Sequence, residues 1–229
     1  MTGRILAVNE IFGPTIQGEG LSLGEPTFFL RLAGCNLKCS FCDTKFTWQW
    51  DVYDKSVESI PTTVDAVLDR LLDLQGGLPI KHLVVSGGEP MLQQSGLDDL
   101  ARYLPDWFIE VETAGTKVLQ FDFADQYNVS LKLASSGNGP ERLNPAAIRS
   151  LLSTGKANWK FVVFEASDFQ EIDALVREYR LAPVVIMPEG IDAGVISDRS
   201  KEIVPLAIQH GYRVTTRLHI SLFGNRRGV

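Results

Sequence analysis

At 229 residues, 45% of them hydrophobic and 22% charged, the chain has the size and balance of one globular domain with a sizeable core. Its net charge is −6, with 22 Lys and Arg against 28 Asp and Glu, and it lacks the clustered basic excess of a nucleic-acid-binding protein. No run of about 18 apolar residues is present, and residues 1–8 lack a signal peptide's apolar core of roughly 7–15 residues, so a cytoplasmic, reducing setting without a membrane span is expected.

Residues 9–24 are rich in glycine and polar side chains and read as a surface loop, in which Gly18, Gly20 and Gly24 would let backbone approach a ligand closely. Residues 26–33 form an apolar, β-prone run that reads as a buried strand. Arg31 is a charge inside it, and such a residue is usually paired or partly exposed, so a structural salt bridge is the plain reading.

From the end of that strand leaves the stretch 34–43, which holds all three cysteines of the chain as Cys35-x3-Cys39-x2-Cys42. An odd number of thiols in one tight loop is no disulfide framework. Iron–sulfur clusters are normally held by four thiolates, so three protein ligands leave one iron open to a non-protein group. An open position is what separates catalytic from structural zinc sites. Zinc is the rival, since a Cys3His site is common, but His82, His210 and His219 are all remote in sequence. Three unrelated buried thiols are the remaining reading.

Residues 45–61, with Phe46, Trp48, Trp50 and Tyr53, read as an irregular cap ending at Pro61. Val64, Val67, Leu68, Leu71 and Leu72 then follow a helical period, opened by Thr62 or Thr63 and stopped by Gly76-Gly77. Strands over 81–86, 107–112, 128–134, 159–164 and 183–187 alternate with helices over 92–104, 144–152, 168–180 and 197–210, before a last stretch 212–218. Gly87-Gly88-Glu89-Pro90 follows the second strand, residues 113–116 the third and residues 135–139 the fourth. Such alternation predicts right-handed βαβ units in a parallel sheet, with ligands at the C-terminal ends of its strands. About six strands are too few for a closed eight-strand barrel. The predicted fold class is therefore α/β, a partial (open) parallel β/α barrel, with a doubly wound sheet as the alternative.

The cysteine spacing, Phe41 before the last cysteine, and Gly87-Gly88-Glu89-Pro90 after the next strand together resemble the radical S-adenosylmethionine (SAM) superfamily, over essentially the whole chain. The resemblance implies a 4Fe–4S cluster on Cys35, Cys39 and Cys42, with SAM on the open iron. One electron then cleaves SAM to methionine and a 5′-deoxyadenosyl radical, which abstracts a substrate hydrogen. Gly87 and Gly88 would let backbone groups approach the SAM amine.

Within the superfamily, Thr15-Ile-Gln-Gly-Glu-Gly20, Arg31, Cys42-Asp-Thr-Lys45, Ser86-Gly-Gly-Glu-Pro90 and Glu112-Thr-Ala-Gly-Thr116 look like the 7-carboxy-7-deazaguanine synthase (QueE) family, of the pathway to queuosine and other 7-deazapurines. That family converts 6-carboxy-5,6,7,8-tetrahydropterin to 7-carboxy-7-deazaguanine with loss of ammonia, using SAM, the cluster and Mg2+. It is dimeric and regenerates SAM. Carried over by motif, Ile16, Gln17, Gly18, Arg31, Ser86 and His219 would hold the substrate, Arg31 as a bidentate carboxylate partner. Phe41, Cys42, Asp43, Gly88, Ser130 and Lys132 would line SAM, and Thr44 would bind Mg2+ through its hydroxyl. The chemistry belongs to the cofactors, so no catalytic side chain is assigned. The implied architecture is a single domain over 1–229, with an N-terminal substrate loop and a C-terminal tail closing the site. The implied partners are a second copy of the chain and an electron donor such as a flavodoxin.

Two departures stand out. Ser130-Leu131-Lys132 occupies a place where the family commonly has Ser-Pro-Lys, and the tail 218–229 is long, with Ile220 where a lysine is frequent. Two other readings stay open at this point: another radical SAM enzyme, such as an activase placing a glycyl radical on a protein partner, and a zinc or redox-sensing module.

Overall fold

A computed structural model describes residues 3–229. Met1 and Thr2, where the expected single domain begins, lie outside the described residues. In chain order the elements are β1 (Ile5–Ile16), β2 (Pro26–Leu32), α1 (Lys55–Glu58), β3 (Ile60–Thr63), α2 (Val64–Gln75), β4 (His82–Gly87), α3 (Gln94–Arg102), β5 (Phe108–Thr113) and β6 (Gln126–Ser130). They continue with α4 (Pro145–Leu152), β7 (Ala157–Val163), α5 (Asp168–Tyr179), β8 (Val184–Pro188), α6 (Ala193–His210), β9 (Arg213–Val214) and α7 (Leu218–Phe223).

The strands form one sheet in the order β3-β1-β2-β4-β5-β6-β7-β8-β9. From β2 to β9 every neighbouring pair is parallel. Each crossover steps to the next position in the same direction. Right-handed crossovers that all advance one way keep their helices on one face, whereas a doubly wound sheet needs a reversal. The fold is thus the open, largely parallel β/α barrel expected, and the doubly wound alternative falls.

Strand alternation separates the two faces. Phe28, Leu30, Leu83, Val85, Val111, Val129, Trp159, Phe161 and Ile186 point outward and merge with α2 to α6 into one core. The intervening residues point inward and are unusually polar: Arg31, Ser86, Glu110, Glu112, Asn128, Ser130, Asn158 and Lys160. A parallel sheet with both faces covered carries apolar side chains on both. Here the inner face is a polar trough instead.

Several boundaries differ from the sequence expectation. The stretch 9–24 is not all loop, because β1 runs through Ile16 and pairs antiparallel with β2 on one side and β3 on the other. Its buried residues, Leu6 and Val8, precede the glycines. The cap at 45–61 ends in a short helix, whose Asp54 accepts from Ser56 N–H, and in the edge strand β3. The strand expected over 128–134 stops at Ser130, after which Leu131 and Leu133 turn into the core. Helix α6 begins at Ala193 rather than 197, because the Asp192 carboxylate caps Gly194 and Val195. The last stretch, 212–218, yields only the two residues of β9, and a helix the sequence did not suggest, α7, follows. No helix among the described residues is long and apolar enough to cross a membrane.

The outward side of β7 is the centre of the core, with Trp159 and Phe161 fully buried. Phe161→Ala is expected to cost about 3–5 kcal/mol, seen as a lowered urea midpoint at unchanged slope.

Candidate active site

The cysteine loop is held where β2 and β4 end side by side. Gly88 N–H donates to Leu32 O at 3.0 Å, Glu89 N–H to Gly34 O at 2.8 Å, and Gly34 N–H to Thr47 O at 2.7 Å. A Cβ on Gly87 would stand 2.1 Å from Leu32 O, and one on Gly88 2.0 Å from Gly34 O. The glycine pair is therefore demanded by the start of the cysteine loop itself, a reason independent of any ligand. Glu89 is fully buried, and its carboxylate accepts from Met91 N–H, Thr113 Oγ1–H and Ala114 N–H, which ties the β4 loop to the β5 loop. Burial raises its pKa, against those three donors.

Each of the three sulfurs accepts one N–H. Leu37 N donates to Cys35 Sγ at 3.4 Å, Asn138 Nδ2 to Cys39 Sγ at 3.1 Å and Trp48 Nε1 to Cys42 Sγ at 3.3 Å. Burial pushes the Cys35 thiol up to about 11, with Glu89 nearby adding to the effect. A metal ion binds the thiolate and displaces its proton, and N–H donors aimed at all three sulfurs suit thiolates. A cubane takes each thiolate on a different iron, and the donor set fits that group.

A cavity of about 380 Å³ lies over this loop, at the C-terminal ends of the strands. Every residue assigned a site role from the sequence lines it: Ile16, Gln17, Gly18, Arg31, Cys35, Cys39, Phe41, Cys42, Asp43, Thr44, Ser86, Gly88, Ser130, Lys132 and His219. Arg31 lies opposite Glu10 across β1 and β2, and its Nε donates to Glu10 Oε1 at 2.6 Å. The guanidinium stands between the rings of Phe12 and Phe46, at 5.6 and 5.9 Å. Its two terminal nitrogens make no hydrogen bond among the described residues. The ion pair and the free donors thus coexist on one side chain.

Gln17 behaves differently. It is 3% exposed, its Nε2 donates to Glu110 and Glu112, and its Oε1 accepts from Glu19 N–H. Its backbone pairs with Glu25 and Gly24. The amide points into the trough, so Gln17 secures the 17–25 loop more than it offers groups to the cavity. Gly18 and His219 meet directly: a Cβ on Gly18 would stand 1.8 Å from His219 Nδ1, and Leu218 N–H donates to Gly18 O at 2.8 Å. Burial lowers the His219 pKa, against the opposing pull of Glu19. Lys132 folds back, its Nζ 2.8 Å from both Ser130 O and Oγ, and Leu131 in the same departure from the family pattern is buried in the core.

Sequence reasoning missed Glu19, Glu112, Lys160 and Arg217. Lys160 Nζ contacts Glu112 at 2.7 Å and Glu19 at 2.8 Å. Arg217 donates through Nε to Glu19 at 2.9 Å, through a terminal nitrogen to Gly190 O at 2.7 Å, and through the other to Asp43. Burial works against the charge on Lys160 and on Arg217, but the facing carboxylates outweigh it and raise both pKa values. Burial likewise disfavours the charge on Glu19, yet Lys160 and Arg217 hold its carboxyl well below the usual range. Burial lifts Glu112, with Glu110 and Glu19 close by. A lysine in the apolar run 159–164 and the alternating Glu110 and Glu112 were the available signals.

The fold and the three-thiol loop define a radical SAM enzyme, and the radical SAM superfamily profile matches residues 30–134. The chain is 36% identical over 228 residues to the 7-carboxy-7-deazaguanine synthase of Pyrobaculum aerophilum, covering 96% of both chains. It is 35% identical to the enzyme of that name from Halobacterium salinarum, covering 97% of this chain and 92% of the relative. The chain belongs to the 7-carboxy-7-deazaguanine synthase family. Among solved structures, QueE from Escherichia coli aligns with a TM-score of 0.71 at 26% identity, covering 94% of this chain and 95% of that one. SuiB of Streptococcus suis, at 14% identity and a TM-score of 0.53, shares the fold across 82% of this chain and 48% of its own. Family membership implies the 4Fe–4S cluster and SAM.

The contact between Gly18 and His219 generates a test. Gly18→Ala is expected to push the imidazole aside and loosen the tail, so the Leu218 amide should exchange about tenfold faster or more in hydrogen-exchange mass spectrometry. Unchanged protection over residues 217–223 would contradict this packing.

Proposed function

We propose that this protein converts 6-carboxy-5,6,7,8-tetrahydropterin to 7-carboxy-7-deazaguanine with release of one ammonia. The observation that carries the reading is Arg31, a fixed guanidinium with unused donors on the wall of a cavity whose floor is the cysteine loop. A planar fork of that kind matches a carboxylate bidentately, and both substrate and product carry one. An activase acting on a protein chain has no need of such an anion site.

Cys35, Cys39 and Cys42 would hold the cluster, which together with SAM would supply reversible hydrogen abstraction from the substrate. The side chains supply position and exclusion of water. Arg31 takes the substrate carboxylate, with Phe12 and Phe46 flanking the guanidinium. Ile16, Gly18, Ser86 and His219 complete the substrate wall, and Gln17 keeps its loop in place. Phe41, Cys42, Asp43, Gly88, Ser130 and Lys132 form the SAM side. Asp43 is oriented by Arg217. Thr44 gives Mg2+ its hydroxyl, the other ligands being water and substrate oxygens, in keeping with how few protein ligands Mg2+ commonly takes. The chain acts as a single domain, 1–229, and works as a homodimer in the cytoplasm, reduced by a flavodoxin-type donor.

The direct test incubates anaerobically purified protein with reductant, SAM, Mg2+ and the carboxy-tetrahydropterin. Mass spectrometry should find a product lighter by one ammonia, and its absence from protein with an intact cluster would overturn the assignment. Loss of two charge-assisted hydrogen bonds in Arg31→Ala should raise KM by about 100-fold or more, at roughly 1.5–3 kcal/mol each. Arg31→Lys, which keeps the charge without the fork, should fall between. Omission of Mg2+ should lower the rate if Thr44 serves as its ligand.

A further inference from the structure

We propose that Trp48 and Asn138 are positioning residues that set the reduction potential of the cluster through their N–H bonds to Cys42 and Cys39. The inference rests on the cluster reading given above. Neither residue belongs to the motifs that define the family here. Trp48 sits in the aromatic stretch after the cysteines, and Asn138 in the glycine-rich loop beyond β6.

The geometry of Asn138 leaves little freedom. Its Oδ1 accepts from Lys38 N–H at 2.8 Å, which turns Nδ2 to face Cys39 Sγ at 3.1 Å and Ser136 Oγ at 3.1 Å. Ser136 is fully buried, and its carbonyl accepts from Ser40 N–H at 3.0 Å. The two loops are therefore already joined by backbone donors at Lys38 and Ser40. The Nδ2 bond adds a donor aimed at a ligand atom. Trp48 has only one polar hydrogen in its side chain, and the indole delivers it to Cys42 Sγ at 3.3 Å. The turn Lys45–Thr47 holds the indole there, with Trp48 N–H donating to Lys45 O at 3.1 Å.

Reduction adds one negative charge to the cluster site. N–H groups directed at its sulfurs stabilise the reduced state more than the oxidised one and raise the potential. Cys35 receives its donor from a backbone group two residues ahead, as a tight loop supplies by itself. The donors to Cys39 and Cys42 come from side chains, and substitution can therefore remove them one at a time.

The experiment compares anaerobically purified wild type, Trp48→Phe and Asn138→Asp. Iron and sulfide are counted, and the reduced cluster is followed by electron paramagnetic resonance against poised potential, without SAM or substrate. Both variants should carry a full cluster that is harder to reduce. For Trp48→Phe the expected change is about tenfold in the reduction equilibrium, equivalent to about 59 mV in a one-electron couple. Asn138→Asp keeps the Lys38 contact but turns a carboxylate to the sulfur, so its shift should be larger. Potentials equal to wild type in loaded variants would overturn the proposal. So would loss of the cluster from both, which would make the two residues loop anchors alone. A wild type that binds no iron would instead overturn the cluster reading itself.

Discussion

Two buried cations, Lys160 and Arg217, hold the site together. Lys160 rises from the middle of β7 into the polar trough and draws in Glu112 from β5 and Glu19 from the N-terminal loop. Arg217, just ahead of α7, takes the other oxygen of Glu19, the carbonyl after β8 and Asp43 beside the last cysteine. Sheet, N-terminal loop, cysteine loop and tail are thereby referred to one charge lattice. Burying such charges costs more than burying hydrophobic side chains of the same size, so the lattice is poorly explained as a source of stability. What it provides is uniqueness of arrangement. Moving any one of the four segments would strand a charge away from water, an expensive outcome that favours a single geometry.

That lattice is possible because all crossovers wind one way. With the helices confined to the outer face, the apolar half of each strand supplies a continuous core, and the other half is released from packing duty. A two-sided sheet could not spare Glu110, Glu112, Asn128 and Lys160 from its interior. The open barrel thus trades half of its potential core for a preorganised polar cleft. The cavity over the cysteines lies at the mouth of that cleft.

The legible parts of the molecule were those whose partners are close in sequence. The three thiols fall in eight residues, and Gly87-Gly88-Glu89-Pro90 must match the chain beside it whatever else happens. Helices α2 and α5 declared themselves by period, and the strands by apolar runs. What stayed hidden depends on distance. Arg217 and Asp43 lie 174 positions apart, and Lys160 and Glu19 lie 141 apart, so no local pattern announces either pair. Strand β1 was concealed for another reason: its half-exposed polar residues and the glycines beyond it resemble a loop until β2 and β3 are seen on either side. Arg31 shows the limit of choosing between readings, since the ion pair with Glu10 and the terminal nitrogens without a hydrogen bond among the described residues belong to one side chain.

The meeting of Gly18 with His219 bears on how the enzyme comes into being. The neighbouring pair, Glu19 with Arg217, is separated by 198 residues, and closing so long a loop carries an entropic cost that contacts near in sequence do not. During synthesis the cysteine loop and the first parallel strands emerge long before the tail exists. The cysteine loop is therefore made well before Asn138 and Arg217, the later residues that hold it. His219, Ile220 and residues 225–229 line the same cavity as the three thiols, so its lining joins the first fifth of the chain to its last dozen residues. The cavity therefore takes its full lining only when the two ends of the chain have met.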